Sequence, residues 1–361
     1  MGYDPVHTDE VRRIIAEGGA AEGIAAEELA AALLKAPFRR QFNYRDDLVA
    51  QALADLCAHP APARRRVRDA LAGHFRTADA DTEPGRHLLA LVAVLDRDLS
   101  GEVLVAERQR QLDTVGVRWR TSYQAWERAL VEGELAAGRP LAPAVVATLR
   151  RSHLSPYHCE GLDAVVPKLA GPVLNVGEAW ADRALADGER WQPLLAHAMT
   201  ATAVRPSARW ERTARTLCDA IGAGPVREQV LGWLELVGTP RTVPLVEEGG
   251  YEPDANAMWD PHNATALRGL AWTLAVLPPH PDSVPALGRL AEAALCWLEC
   301  HGALSPRVAG ACITALARTD GEPALAELSR LAGRVTHKPT RKLLDAALES
   351  RTASRASAGS S

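Results

Sequence analysis

Apolar residues recur with a helical period along almost the whole chain. In most windows they lie three, four and seven positions apart, which places them on one face of an α-helix. No run of alternating β-branched residues predicts a strand. The pattern therefore predicts an all-α protein. The predicted helices span 8–17, 25–36, 45–57, 62–75, 84–97, 101–113, 117–136, 142–152, 156–169, 175–187, 190–202, 206–221, 224–236, 241–248, 262–276, 282–300, 304–318, 321–333 and 338–350.

Short breaks at proline and glycine separate the predicted helices. AHPAPARR, AAGRPLAP and VLPPHPDSVP each lead into a helix with proline in its first turn, where its missing amide donor costs nothing. Short links make successive helices antiparallel neighbours. In the C-terminal third, helices recur about every 20 residues, or about 40 per pair, as in HEAT repeats. The sequence predicts a HEAT-like α-solenoid of stacked antiparallel helical hairpins, with an irregular helical globule as the alternative.

The regularity of this pattern divides the chain into three parts. Residues 1–80 are less regular and predict an N-terminal helical cap or subdomain. Residues 81–350 carry the HEAT-like helical repeats. Residues 351–361, RTASRASAGSS, are mostly small and polar and show no periodicity, so they predict a disordered tail.

One part of the repeat region also resembles a known family. Residues 262–349 contain an Asn near a helix start, then LRGLAW, LGRLAE, SPRVAGAC and a closing K...L..AL. This pattern resembles the helical-repeat portion of bacterial proteins of unknown function that include the MolR-like proteins. Family members commonly have GPRS before the third helix, where this chain has HGALSPRV. The resemblance implies HEAT-like repeats and supplies no catalytic residue.

Charge and composition narrow the classes of partner. The 41 Lys and Arg residues are nearly balanced by 45 Asp and Glu residues, for a formal net charge of −4. This balance argues against nucleic acid and against a membrane surface as the partner. Alanine and arginine are frequent and lysine is rare, which suggests a GC-rich bacterial genome and a role in specialised metabolism or defence.

The remaining composition predicts a cytoplasmic protein without a bound metal or cofactor. The six cysteines form no CxxC pair, and the N-terminus lacks a charged segment followed by a long apolar core. Cys296 and Cys300 lie four positions apart, but a structural zinc site needs four ligands. The chain has no P-loop, no GxGxxG in a strand-to-helix setting and no GxSxG.

The segment WDPHNATALRG carries the first group of candidate site residues. Asp260 suits the N-cap of a helix and Pro261 its first position, so capping alone accounts for both. His262 and Asn263 then lie in the first turn, where exposed amides favour an anion and lower the pKa of a histidine. We therefore take Asp260 and Asn263 as candidate ligand-binding residues and His262 as a candidate catalytic base or donor.

The segment SPYHCEGLD carries the second group. Its Ser and Pro open a helix, and His158 and Glu160 follow within the first turns. A general acid and base pair needs such side chains within reach of a substrate, together with partners from another helix. His158 and Glu160 are thus candidate catalytic residues, although the PCxxC of zinc deaminases is missing.

The segment VRWRTSYQAWERAL carries the third group. Trp119, Tyr123 and Trp126 have the spacing of one helical stripe, and arginines flank them. Large aromatics at this spacing usually pack in a core. They are also candidate ligand-binding residues, as an aromatic wall for a planar or cationic ligand or for a flipped base.

Three functions follow from these features. The first is a binding protein that holds a peptide, protein or small-molecule partner on the concave surface of its repeats. The second is a cofactor-independent acid/base enzyme of natural-product biosynthesis, an isomerase, cyclase or lyase. The third is a glycosylase that removes alkylated bases from DNA; the aromatic and arginine-rich segment favours it, and the net charge does not.

Overall fold

The computed structural model describes residues 30, 31, 34, 57–76, 81–97, 99, 101, 103–121, 123–155, 161–246 and 254–358. These residues are mostly helical, and the sheet that they contain has two short strands. The predicted all-α class is confirmed. Among the helices of these residues, none combines the length and the apolar composition needed to cross a membrane.

The chain divides into two compact units, 1–171 and 172–361. The predicted boundary after residue 80 differs from this division. Val67 and Leu71, which precede that boundary, share one apolar core with Leu88 and Leu91, which follow it. The described helices of the first unit are α1 (Ala61–Gly73), α2 (Glu83–Asp96), α3 (Val105–Gly116), α4 (Ala125–Ala136), α5 (Pro143–His153) and α6 (Leu162–Val165), which a 3-10 turn, Val166–Lys168, extends.

Buried ion pairs link the helices of the first unit. The Asp96 carboxylate accepts hydrogen bonds from Arg68 at 2.7 Å and from Arg108 at 2.9 Å. Glu134 accepts two more from Arg139, at 2.7 and 2.8 Å. Arg108 Nε also lies 3.9 Å from Glu134 Oε1. Charges removed from water need such partners, so this network joins α1, α2, α3 and α4.

The second unit contains a longer run of helices and the two strands. They are α7 (Ala179–Ala186), a 3-10 turn (Glu189–Trp191), α8 (Gln192–Ala198), α9 (Ala208–Ile221), α10 (Ala223–Glu235), α11 (Pro261–Val276), α12 (Ser283–Ala294), β1 (Trp297–Leu298), β2 (Gly302–Ala303), α13 (Pro306–Arg318), α14 (Glu322–Arg334) and α15 (Lys338–Ala358).

These helices pack in two layers. In one layer α8 packs against α11, α11 against α13, and α13 against α15. In the other layer α7 packs against α10, α10 against α12, and α12 against α14. Helix α9 packs against α8, α10 and α11. Neighbours within a layer are thus mostly alternate helices of the chain, and one apolar core runs between the layers from Leu174 to Leu344.

Three predicted elements of the second unit differ from the structure. Residues 241–246 of the predicted helix 241–248 are not helical. The predicted helix 282–300 ends at Ala294 and a hairpin follows, so Cys296 and Cys300 do not share a helical face. The backbone has positive φ angles at Cys300 (59°), in the turn of this hairpin, and at Gly302 (89°), where β2 begins; a helix cannot contain such angles.

The last helix is longer than predicted. Helix α15 continues to Ala358 and so overlaps the predicted disordered tail over residues 351–358. Arg351 donates hydrogen bonds to the carbonyls of Ala317 and Gly321, at 3.4 and 3.2 Å. These contacts hold this part of α15 against the end of α13 and the start of α14. The sequence of residues 351–358 alone does not indicate such contacts.

Candidate functional site

Helix α11 begins at Asp260, as the capping interpretation predicts. The Asp260 carboxylate accepts hydrogen bonds from the backbone amides of His262, at 2.9 Å, and Asn263, at 3.4 Å. Pro261 occupies the first helical position. These bonds satisfy amides that have no partner within the helix. Asp260 and Asn263 are both completely buried, so they face the protein interior.

Asn175 binds both of these residues from the far side of the cluster. Its side-chain amide donates to both Asp260 carboxylate oxygens at 3.1 Å. Its backbone amide donates to Asn263 Oδ1 at 2.7 Å, and its carbonyl accepts from Asn263 Nδ2 at 2.9 Å. This reciprocal pairing fixes the loop before α7 to the first turn of α11.

Glu178 completes what we call the buried carboxylate cluster, formed by Asn175, Glu178, Asp260 and Asn263. Glu178 Oε1 accepts from the Asp260 amide, and Oε2 accepts from Asn263 Nδ2, both at 2.8 Å. Burial, followed by the nearby Asp260 charge, raises the pKa of Glu178 to about 7. The sequence reading missed Glu178 and Asn175, because nothing in NVGEAW indicates partners more than 80 positions away.

A shallow cavity lies beside this cluster. Its volume is about 300 Å³, and its lining residues are Pro240, Arg241, Pro244, Asp254, Asn256 and Ala257. Arg241 connects the two features, because its Nη1 lies 4.0 Å from Glu178 Oε1 and 3.4 Å from the Met258 carbonyl. A cavity of this size is at the lower limit for small-molecule sites. The carboxylates of Glu178 and Asp260 do not line this cavity, and both residues are buried.

Of the three candidate catalytic residues, the structure describes His262. Its ring Nε2 lies 3.1 Å from the Val173 carbonyl, and the side chain is half-buried. This contact holds the imidazole against the loop that carries Asn175. His158 and Glu160 lie outside the described residues. An acid/base role for these three residues therefore stays a prediction.

The prediction that Trp119, Tyr123 and Trp126 lie on one face of a single helix is wrong. Helix α4 begins at Ala125, so Trp119 and Tyr123 precede it, and Tyr123 has a φ of +49°. The reason lies in α5, whose side chains bind the backbone of this segment. Arg151 Nε donates to the Trp119 carbonyl at 2.8 Å, and Ser152 Oγ accepts from the Thr121 amide at 2.9 Å. These bonds replace the helical ones that the periodicity predicts.

The three aromatic side chains consequently have different surroundings. Trp119 is buried, and the Arg151 guanidinium lies 5.3 Å from its ring. Tyr123 is also buried, and burial raises the pKa of its hydroxyl above the ordinary value. Trp126 is half-buried, and its Nε1 donates to Gln124 at 3.0 Å. This arrangement favours core packing for Trp119 and Tyr123 over a shared ligand wall.

A second candidate site lies on the arginine-rich side of the second unit. We define the arginine surface as Arg205, Arg209, Arg212, Arg215, Arg268, Arg307 and Arg318. Two sets of contacts lie within it. Arg268 donates to the Ala203 carbonyl in the loop that carries Arg205, and Arg215 and Arg318 both bind Glu211, at 3.4 and 2.5 Å. All seven residues except Arg268 are exposed.

The sequence reading missed this surface because its residues come from four segments. Only Arg209, Arg212 and Arg215 are close enough in sequence to suggest a basic helix, and Glu211 interrupts them. The net charge of the whole chain, −4, gives no sign of a local excess of positive charge. Glu211 pairs with Arg215 and Arg318, whereas no ion pair of Arg205, Arg209, Arg212 or Arg307 is seen among the described residues. These four exposed arginines suit an anionic partner.

The described side chains do not suggest a metal centre. Within the ranges that the structure describes, no three or more His, Cys, Asp and Glu side chains are grouped so that they could hold a metal ion. Comparison of the chain with protein-family models, with curated proteins and with solved structures returned no match.

Proposed function

We propose that this chain is a HEAT-like helical-repeat protein that binds an acidic peptide or protein segment on its arginine surface. The observation that carries the proposal is the arginine surface itself, where exposed guanidinium groups from α9 and α13 outnumber the carboxylate between them. The two layers of alternating helices support a HEAT-like stack, which offers an extended surface for such a partner. The composition supports a cytoplasmic role in bacterial specialised metabolism or defence.

Electrostatics determines how such a partner binds. One exposed ion pair contributes only about 0.2 to 1 kcal/mol, so useful affinity needs several arginines at once. Long-range attraction mainly accelerates association and weakens as salt screens the charges. We therefore expect binding that is moderate in affinity, strongly dependent on salt, and sensitive to the number of arginines replaced.

Fluorescence anisotropy with a short fluorescein-labelled oligoglutamate peptide tests the proposal. We expect saturable binding at low salt, and at least a tenfold loss of affinity when Arg209→Gln and Arg212→Gln are combined. The matched control is Arg289→Gln on α12, an exposed arginine on a helix that packs against α10, α13 and α14. We expect the control to bind the peptide as the wild type does.

Two results would contradict the proposal. The first is no saturable binding of oligoglutamate by the wild type at low salt. The second is a loss of binding free energy in the control variant of at least half that in the double variant, since the control removes one charge and the double variant two, and the effect would then reflect net charge alone. A single-stranded oligonucleotide measured in parallel tests the class of partner: tighter binding of the oligonucleotide than of the peptide would make nucleic acid the partner.

A further inference from the structure

Glu211 is a buried carboxylate held by arginines from two helices. It lies in the first turn of α9, and its side chain is 10% exposed. Arg318 Nη2, from the last turn of α13, lies 2.5 Å from Glu211 Oε1, and Arg215 Nη2 lies 3.4 Å from Oε2. Each carboxylate oxygen thus has one guanidinium partner. The two arginines form a carboxylate site, and its ligand is a residue of the chain itself.

The two arginines of this site remain accessible from outside. The side chains of Arg215 and Arg318 are 53% and 42% exposed, so an acidic partner can approach both of them. Their charge is already compensated in part by Glu211, and like charges repel, so Glu211 also opposes a second carboxylate that comes close. Arg215 and Arg318 consequently attract an acidic partner less than their exposure alone indicates.

Two other arginines of α9 have no such carboxylate. Arg209 and Arg212 are exposed, and no carboxylate of the described residues forms an ion pair with either of them. They lie three positions apart, so their side chains are neighbours on the helix surface. The buried residues Trp210 and Ala214 cover the other side of the helix. Both guanidinium groups can therefore bind a partner without competition from a carboxylate of the chain.

We propose that Glu211 occupies the site formed by Arg215 and Arg318, and so leaves Arg209 and Arg212 as the arginines of α9 that bind the acidic partner. The inference rests on the proposed function, because it identifies which arginines of that surface contact the partner. Glu211 acts as an internal competitor that limits how many carboxylates the surface holds. Since one exposed ion pair contributes little, the number of arginines engaged determines the affinity.

Two single variants with the same change in net charge test the proposal on the whole chain. Arg212→Gln and Arg318→Gln each remove one positive charge from an exposed residue. In anisotropy measurements with labelled oligoglutamate, Arg212→Gln should weaken binding at least threefold. Arg318→Gln should weaken it less than twofold, because Glu211 already engages this arginine. A loss in Arg318→Gln as large as that in Arg212→Gln would overturn the proposal.

A third variant removes the internal competitor. Glu211→Gln should bind oligoglutamate at least threefold tighter than the wild type, and Arg318→Gln added to it should now weaken binding at least threefold. The control is Asp219→Asn, which removes a negative charge from an exposed position of α9 and releases no arginine, since no ion pair of Asp219 is seen among the described residues. It should change the affinity less than twofold. An equal gain in the control would contradict the role of Glu211.

The outcomes separate this inference from the proposed function. If the wild type binds oligoglutamate and Glu211→Gln binds it no more tightly, the role of Glu211 is wrong and the proposed function stands. If the wild type does not bind oligoglutamate and Glu211→Gln does, the proposed function is wrong and the role of Glu211 stands. The comparison of Arg318→Gln with Arg212→Gln changes exposed residues only, so it decides the question even where Glu211→Gln does not fold.

Discussion

Glu178 makes the stability of the second unit depend on pH. Its pKa in the folded protein is raised from 4.5 to about 7, by burial first and then by Asp260. The folded state therefore holds a proton that the unfolded state has released between these two values. A state that binds more protons loses relative stability as the pH rises. We expect the free energy of unfolding to fall as the pH increases from about 4.5 to about 7, and this contribution to be constant above that range.

Glu178→Gln should remove most of this dependence. The amide cannot ionise, and its carbonyl oxygen can still accept one of the two hydrogen bonds of the carboxylate. For the wild type we expect a loss on the order of 1 to 3 kcal/mol between the ends of the range, since one pKa unit corresponds to about 1.4 kcal/mol. Urea unfolding at pH 5 and at pH 8 measures it. The control is Glu349→Gln, on the exposed side of α15, and a wild-type slope in Glu178→Gln would contradict the assignment.

The buried carboxylate cluster shows which residue roles the sequence can predict. The order Asp-Pro before an apolar run predicts the cap, since a capping carboxylate and a first-turn proline act on neighbouring residues. Asn175 and Glu178 contact Asp260 from 85 and 82 positions away, and no local pattern contains such contacts. The spacing of Trp119 and Tyr123 predicts a helix that does not form, again because of non-local contacts. Side chains of α5 form hydrogen bonds with backbone groups of this segment that would otherwise pair within a helix.

At the scale of elements, the sequence predicts several helix starts closely. Helices α2, α11 and α14 begin within one residue of their predicted positions, each with proline in the first turn. Irregular segments are predicted less well. The hairpin after α12 depends on a positive φ at Cys300, a residue type that gives no signal for it. The segment before α11 is held by Arg241 and Asn256 through non-local bonds.

Helices α8 and α11 approach each other closely at Gly269. A Cβ atom added at Gly269 would lie 2.4 Å from both the Cα and the carbonyl oxygen of Ala198. Backbone atoms cannot move away from such an overlap without separating the two helices. Gly269 thus lets the helices approach each other, and the conformational freedom of glycine is secondary here.

Gly269→Ala should therefore destabilise the protein. Overpacking a well-filled interior typically costs about 1 to 3 kcal/mol, and overlap with backbone atoms favours the upper part of that range. The matched control is Gly232→Ala in α10, where an added Cβ meets nothing within 4 Å. The control should gain roughly 0.5 to 1 kcal/mol, because alanine is the better helix former. Chemical denaturation of both variants measures the difference, and equal stability of Gly269→Ala and wild type would show that α8 and α11 are farther apart.

At the scale of the whole molecule, the apolar cores respect the division into two units. The core of the second unit runs from Leu174 to Leu344, so it lies entirely within 172–361. The two cores of the first unit lie entirely within 1–171. The predicted division at residue 80 rests on a change in regularity and stays a prediction, whereas the two units are described by the cores that their residues share. The hydrophobic pattern of each helix shows which face is buried, but it does not show which other helices share the same core.

Because it has a core of its own, a fragment of residues 172–361 should fold by itself. A domain of this size buries enough apolar surface to be stable alone. We expect helical circular dichroism, a single cooperative unfolding transition, and oligoglutamate binding equal to that of the whole chain, since the arginine surface lies within the fragment. A gradual loss of helicity without a cooperative transition would mean that the core needs residues from 1–171. A folded fragment that no longer binds oligoglutamate would instead mean that the first unit contributes to the surface that holds the partner.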